Sequence, residues 1–342
     1  MTNSKSWFAA LSVCLAISMT PSLASAAEQK TKAATRSTTV GNGAIAEFKL
    51  ANVQQLTAES ISTWIQQRDG AKLYSYFSAE MKQIASEEGF STLLRNFWNK
   101  DEIPLQIIEY SLNGARHLAL TDEAGLKGIN IWIIDDQITG IKLLPLQKQE
   151  SDNYPTLQVY GLPFTDQWFV GHGGRNVLVN YHYAYPNQRY AYDFIIVRDG
   201  FSYQNDPTKN ESYFAFGQQV LAPGDGKVVR VVNNIEDNSP GGVSNVQQLE
   251  GNVVVIDHGN GEFSSLAHFK KDSIVVKVGD SIKKGQLLGQ CGNSGNSSEP
   301  HIHYQVSDSP DMMKGRSIRI SFENEIDPIG GQFIQGQSQF IK

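Results

Sequence analysis

The chain has 342 residues, 40% of them hydrophobic and 19% charged, which is globular rather than disordered composition and long enough for two domains with separate cores. Its 29 basic residues face 35 acidic ones, a formal charge of −6 that argues against nucleic acid or an anionic membrane surface as a partner.

At the N-terminus, Lys5 is followed by the apolar run "WFAALSVCLAISM" and by Ala24, Ser25 and Ala26, the three-part pattern of a secretory signal peptide. A signal over residues 1–26 is expected, with cleavage after Ala26 and an extracytoplasmic address, periplasmic or secreted. The apolar run is shorter than the ~20 residues of a membrane-spanning helix, and no later segment qualifies. Loss of Lys5 leaves 28 basic residues against 35 acidic, a formal charge of −7. Cys14 leaves with the signal, and Cys291 alone forms no internal disulfide and no cysteine metal cluster.

Residues 27–47 are rich in Thr, Ser and Ala and suit a disordered lead-in. From 48 to 146 an α+β unit is expected. Val53, Leu56, Ile61, Trp64 and Ile65 recur at helical spacing, and Ser86 stands as an N-cap before Phe90, Leu93, Leu94 and Phe97. Strand-like runs follow in "PLQIIEYS", "ARHLALT", "GINIWIID" and "QITGIKLLPL", with Asn113-Gly114 as a two-residue hairpin signal. This order resembles small cone-shaped domains of the nuclear-transport-factor-two-like type, which allows a role in dimerisation or partner binding. Its lone His117 is expected on the strand surface.

Residues 147–160 read as a polar linker. Beyond it, over 161–342, short β-rich runs are separated by Gly, Asn and Asp, and no helical period interrupts them. The second domain is expected to be all-β and mainly antiparallel. Six of the seven histidines lie in it. In "EPHIHYQV", His301 and His303 share one face of a strand, roughly 6 to 7 Å apart along the chain. A solvated sheet face would accommodate such a pair without chemistry. If "NYHYAYPNQRYAYDF" is a hairpin turning at Asn187 and Gln188, His182 faces Asp193, either as an ion pair or as two ligands of one metal ion. Adding His303 gives two imidazoles and a carboxylate, the donor set of catalytic zinc. His301 and His268 then remain for proton transfer.

Three segments, "VLAPGDGKVVRV", "GNVVVIDHGNGEFSSLAHF" and "VKVGDSIKKGQLLGQCGNSGNSSEPHIHYQV", together resemble the lysostaphin-like, or β-lytic, zinc metallopeptidases of bacterial cell walls, over about residues 165–325. The resemblance implies Asp193 and His303 as zinc ligands and His268 and His301 as catalytic groups. Arg189 stands where the family places a histidine four residues before the aspartate, so His182 is the expected replacement and His172, in a glycine loop, the reserve. His258 and Cys291 are read as structural. The expected function is hydrolysis of peptide bonds in peptidoglycan by a one-zinc endopeptidase. The alternative is an inactive peptidase-like scaffold that binds wall or activates another hydrolase.

Overall fold

A computed structural model describes residues 56–337. The expected signal peptide, the lead-in and Val53 lie outside the described residues. Among those described, no helix is long and apolar enough to cross a membrane.

The N-terminal unit opens with α1 (Ala58–Gln67), α2 (Gly70–Ser75), α3 (Ala79–Ile84) and α4 (Glu87–Phe97). Local chemistry sets their ends. Thr57 and Ser60 cap α1 reciprocally, and Arg68 closes it in the left-handed conformation. Ser86 caps α4 by accepting from the Gly89 N–H at 3.2 Å. The helices bury Ile61, Ile65, Phe90 and Leu94 against a four-stranded antiparallel sheet in the order β1 (Leu105–Leu112), β2 (Ala115–Thr121), β3 (Lys127–Ile134) and β4 (Gln137–Pro145). Asn113 and Gly114 take φ of 50° and 84°, the positive pair that a two-residue β1–β2 turn requires.

His117, expected on the surface, is buried instead. It stacks on Trp132, with ring centroids 5.1 Å apart, and meets the edge of Tyr110. The strand itself is where the alternating pattern puts it. Its second face is covered, because Tyr110 in turn packs on Phe169 of the following unit.

The second unit consists of β5 (Pro155–Tyr160), β6 (Gln167–His172), β7 (Tyr192–Ile195), β8 (Gln219–Leu221), β9 (Gly226–Val232), β10 (Asn252–Asp257), β11 (Phe263–Phe269), β12 (Ser281–Ile282), β13 (Leu287–Gln290), β14 (Ile302–Ser307), β15 (Ser317–Phe322) and β16 (Phe333–Gln335). The main sheet runs β12-β9-β10-β11-β14-β7-β6-β16, with β15 alongside β14 and β5 parallel to β15; β8 and β13 pair separately. Strand alternation gives the sheet two unlike faces. Phe194, Leu266, Ile302, Tyr304 and Val306 enter an apolar core with Phe164, Val254 and Ile256. Asp193, His303 and Gln305 therefore project from the opposite face.

Two local expectations are corrected. "NYHYAYPNQRYAYDF" is not a hairpin: residues 181–184 form a 3-10 turn capped by the Asn180 side chain, which accepts from the His182 N–H at 3.1 Å. The hairpin partner of β7 is β6, so the residue in register with Asp193 is His172, the last of a strand rather than part of a loop. An Asn side chain competing for local backbone donors overrides the β-pattern of that segment.

The units meet through a small cluster of Ala119, Leu146, Leu178 and Val179. Asn130 Nδ2 donates to the Leu178 carbonyl at 2.9 Å. Within the segment expected as a linker, the Asp152 carboxylate accepts from the hydroxyls of Tyr183 and Tyr190, each at 2.7 Å. Residues 155–160 of the same segment form β5.

Candidate metal centre

The side chains of His182, Asp193 and His303 converge, with one ligand atom from each lying within 4.8 Å of the others. All three are buried. Register accounts for two of them, since Asp193 and His303 are directly paired across β7 and β14. The 3-10 turn accounts for the third, bringing His182 Nε2 to 3.6 Å from Asp193 Oδ2.

Hydrogen bonding fixes how each ring faces. Asn180 Nδ2 donates to the carbonyls of Gly174 at 3.0 Å and Ala191 at 3.2 Å, so its Oδ1 is the acceptor toward His182 Nδ1, at 3.0 Å. His182 therefore carries its proton on Nδ1 and turns a lone pair on Nε2 toward Asp193. Gln305 Nε2 donates to the Asn187 carbonyl at 3.0 Å, so Gln305 Oε1 accepts from His303 Nε2 at 3.1 Å. That leaves His303 Nδ1 facing Asp193 Oδ1 at 3.0 Å. A ring lone pair and a carboxylate cannot stay in such contact unless a positive charge lies between or beside them. A proton or a metal ion meets that need, and three converging acceptors fit a metal ion.

Protonation preferences agree. Burial pushes His182 down to about 3, keeping it neutral. Burial would raise the Asp193 carboxyl, but His182, His301 and His303 outweigh it and hold it well below the usual range. For His303, burial opposes protonation, and the hydrogen bond and charge of Asp193 prevail, raising its pKa. The same balance of charge that favours a proton at His303 favours a cation at this position.

His301 and His268 stand beside this centre, their ring centroids 4.7 Å apart. His301 Nδ1 donates to the Glu299 carbonyl at 2.8 Å, leaving Nε2 3.6 Å from Asp193 Oδ1. His268 Nδ1 donates to the Ser294 carbonyl at 2.7 Å, which likewise frees Nε2. Burial keeps His268 well below the ordinary histidine pKa. Its φ is 65°, in the left-handed region, at a bulge where β11 slips against β10. A bulge re-aims a side chain across a sheet, here toward His301 and His303.

The reserve candidate His172 is exposed and packs against Tyr181, with its ring centroid 6.2 Å from that of His182. His258 is held away from the centre by the Asp225 carbonyl and the Ser264 hydroxyl, each at 2.7 Å. Cys291 is buried, and burial raises its thiol far above reactivity at neutral pH.

Residues 212–318 match the model of peptidase family M23. This part of the chain is an M23 peptidase domain. The match contains His268, His301 and His303, while His182 and Asp193 precede it. The chain is similar to the peptidoglycan DD-endopeptidase ShyA of Vibrio cholerae, at 33% identity over 102 residues, or 30% of this chain and 19% of that protein. It is also similar to the murein hydrolase activator NlpD of Escherichia coli, at 28% identity over 102 residues, or 30% of this chain and 22% of that protein. The chain thus spans about a fifth of the length of these relatives. Among solved structures, the catalytic domain of lysostaphin from Staphylococcus simulans aligns with 50% of this chain and 93% of its own at 21% identity, with a TM-score of 0.25.

Sequence reasoning passes over Asn180 and Gln305, the two amides that orient the rings of His182 and His303. Both carry a signal. Gln305 follows His303 by two residues and so shares its strand face, and an Asn two residues before a histidine is a ready turn cap.

Proposed function

We propose that the protein is a zinc endopeptidase that hydrolyses peptide bonds in bacterial peptidoglycan. The observation that carries this reading is the convergence of three buried ligand atoms, from His182, Asp193 and His303, within 4.8 Å of one another. The two amides beside them fix the ring tautomers that a metal requires. A bound zinc ion would supply Lewis-acid polarisation of a carbonyl and lower the pKa of a water toward ~7.

The chain's own residues supply the rest. The two ligand rings are preset by Asn180 and Gln305, so little rearrangement of them accompanies binding. His301 presents Nε2 at the edge of the centre and takes up a proton there as general base. The proton that His301 accepts is the one returned to the departing amine, and His268, across from it, holds a second unprotonated Nε2 as a further acceptor. Peptidoglycan as the substrate rests on the lysostaphin-like motifs and on the similarity to a DD-endopeptidase. An extracytoplasmic location rests on the signal-like N-terminus and on the same relatives.

The test combines metal analysis of the purified full chain with mass spectrometry of digested sacculi. About one zinc per chain is expected, with loss of cross-linked muropeptides that a chelator stops, while glycan chains and the sugar-to-peptide amide stay intact. Similarity to a hydrolase activator supports a second reading, a scaffold without turnover. Zinc-loaded protein that leaves every muropeptide unchanged but stimulates another wall hydrolase would establish it.

A further inference from the structure

The tip of the β1–β2 hairpin lies far from the metal centre in sequence, yet it is connected to it by consecutive hydrogen bonds. The Asn113 N–H donates to the Gly200 carbonyl at 2.8 Å. Its side-chain amide grips Ser202 twice: Oδ1 accepts from the Ser202 N–H at 2.9 Å, and Nδ2 donates to Ser202 Oγ at 3.0 Å. With its lone pair so engaged, the Ser202 hydroxyl donates to the Glu299 carboxylate at 2.9 Å. The backbone carbonyl of Glu299 accepts from His301 Nδ1 at 2.8 Å and from the Ser297 hydroxyl at 2.9 Å. Ser202 is buried, so the contact is shielded from competing water.

We propose that Asn113 is a positioning residue for His301, acting across the junction between the two units through Ser202 and Glu299. The helical unit thereby becomes part of the hydrolytic apparatus without touching substrate. Glu299 is held at both ends, its carboxylate by Ser202 and its carbonyl by the ring it orients. Fixing that carbonyl keeps the His301 proton on Nδ1 and its Nε2 directed at the centre. The hairpin turn gives the tip a set height, because both of its central residues take the positive φ that Asn and Gly tolerate. The loop that follows β7 is thus clamped at residues 200–202 by an element from the other unit. The proposal rests on the reading of His301 as the proton-transfer group.

Asn113→Gly is the informative variant, since it removes the amide while keeping the backbone freedom of the turn. In full-length, zinc-loaded protein labelled with 15N-histidine, the imidazole spectrum reports the His301 tautomer directly and needs no turnover. The wild type should show a single Nδ1–H tautomer at His301, and Asn113→Gly should show a mixed or exchange-broadened ring, with zinc content unchanged. On a soluble cross-linked muropeptide, kcat should fall about tenfold with KM nearly constant, as small misplacements of a catalytic group do. Glu299→Ala should match it, Glu299→Gln should recover most of the loss by keeping an acceptor for Ser202, and the double variant Asn113→Gly/Glu299→Ala should lose no more than either single one. An unchanged His301 spectrum in Asn113→Gly, or fully additive losses in the double variant, would overturn the proposal. Absence of turnover in the wild type would count against the endopeptidase reading instead, and the tautomer spectrum would still decide the positioning role.

Discussion

His117 shows what one enclosed imidazole does to stability. Neither of its ring nitrogens has a hydrogen-bond partner. Burial, with the charges of His172 and Lys142 adding to it, depresses its pKa to about 4. The unfolded chain takes up this proton near pH 6.5 and the native chain only near 4, so the fold keeps the full benefit of the neutral ring above pH 6.5. It loses up to roughly 3 kcal/mol as pH falls from there to 4. His117→Phe preserves the stack on Trp132 and removes the titration, and denaturant melts at pH 7 and pH 4.5 should lie closer together in the variant than in the wild type. At the metal centre, Asn180→Ala and Gln305→Ala should each weaken zinc binding about 10- to 100-fold in competition with a chromogenic chelator. His182→Ala should abolish stoichiometric zinc, and His172→Ala should leave it in place.

Single elements carry strain as well as side chains. The bulge in β11 forces His268 to φ of 65°, a conformation that costs a non-glycine residue about 1–2 kcal/mol. Replacing His268 by Gly relieves that strain and replacing it by Ala does not. Both variants should lose hydrolysis, yet His268→Gly should melt at the higher temperature. Elements with a strong local signature are legible in the residues alone: Ser86 ahead of its helix, and Asn113-Gly114 between two strands. The segment 177–184 is not. Its Val, Leu and Tyr residues favour a strand, and only the tertiary fit of the Asn180 side chain among three carbonyls turns it into a 3-10 bend. His182 reaches its expected neighbour by that bend, rather than by the hairpin register that suggests it. The burial of His117 is illegible for a related reason, since what covers it comes from a different unit.

Across the whole molecule, the junction between the units depends on close approach. A side chain at Gly128 would place its Cβ 2.6 Å from Leu178 Cδ1. Gly128→Val should push Leu178 out of the small cluster at the junction. Calorimetry should then resolve two thermal transitions where the wild type gives more nearly one, with the N-terminal unit melting first. Pairing within the large sheet is even less local. The hydrogen bond between His303 and Asp193 spans 110 residues of chain, and the one from Ser321 to Thr156 spans 165. Such long-range pairing makes folding slow, because distant segments must meet before any contact rewards them. It also imposes an order on events during translation. A growing chain that has not reached His303 lacks β14, one of the two strands that pair with β7, and lacks the second ligand imidazole, so truncation before that residue should leave a product without zinc. For a hydrolase of the proposed kind, the pairing of β7 with β14 acts as a safety catch, released only when the chain has been made past His303.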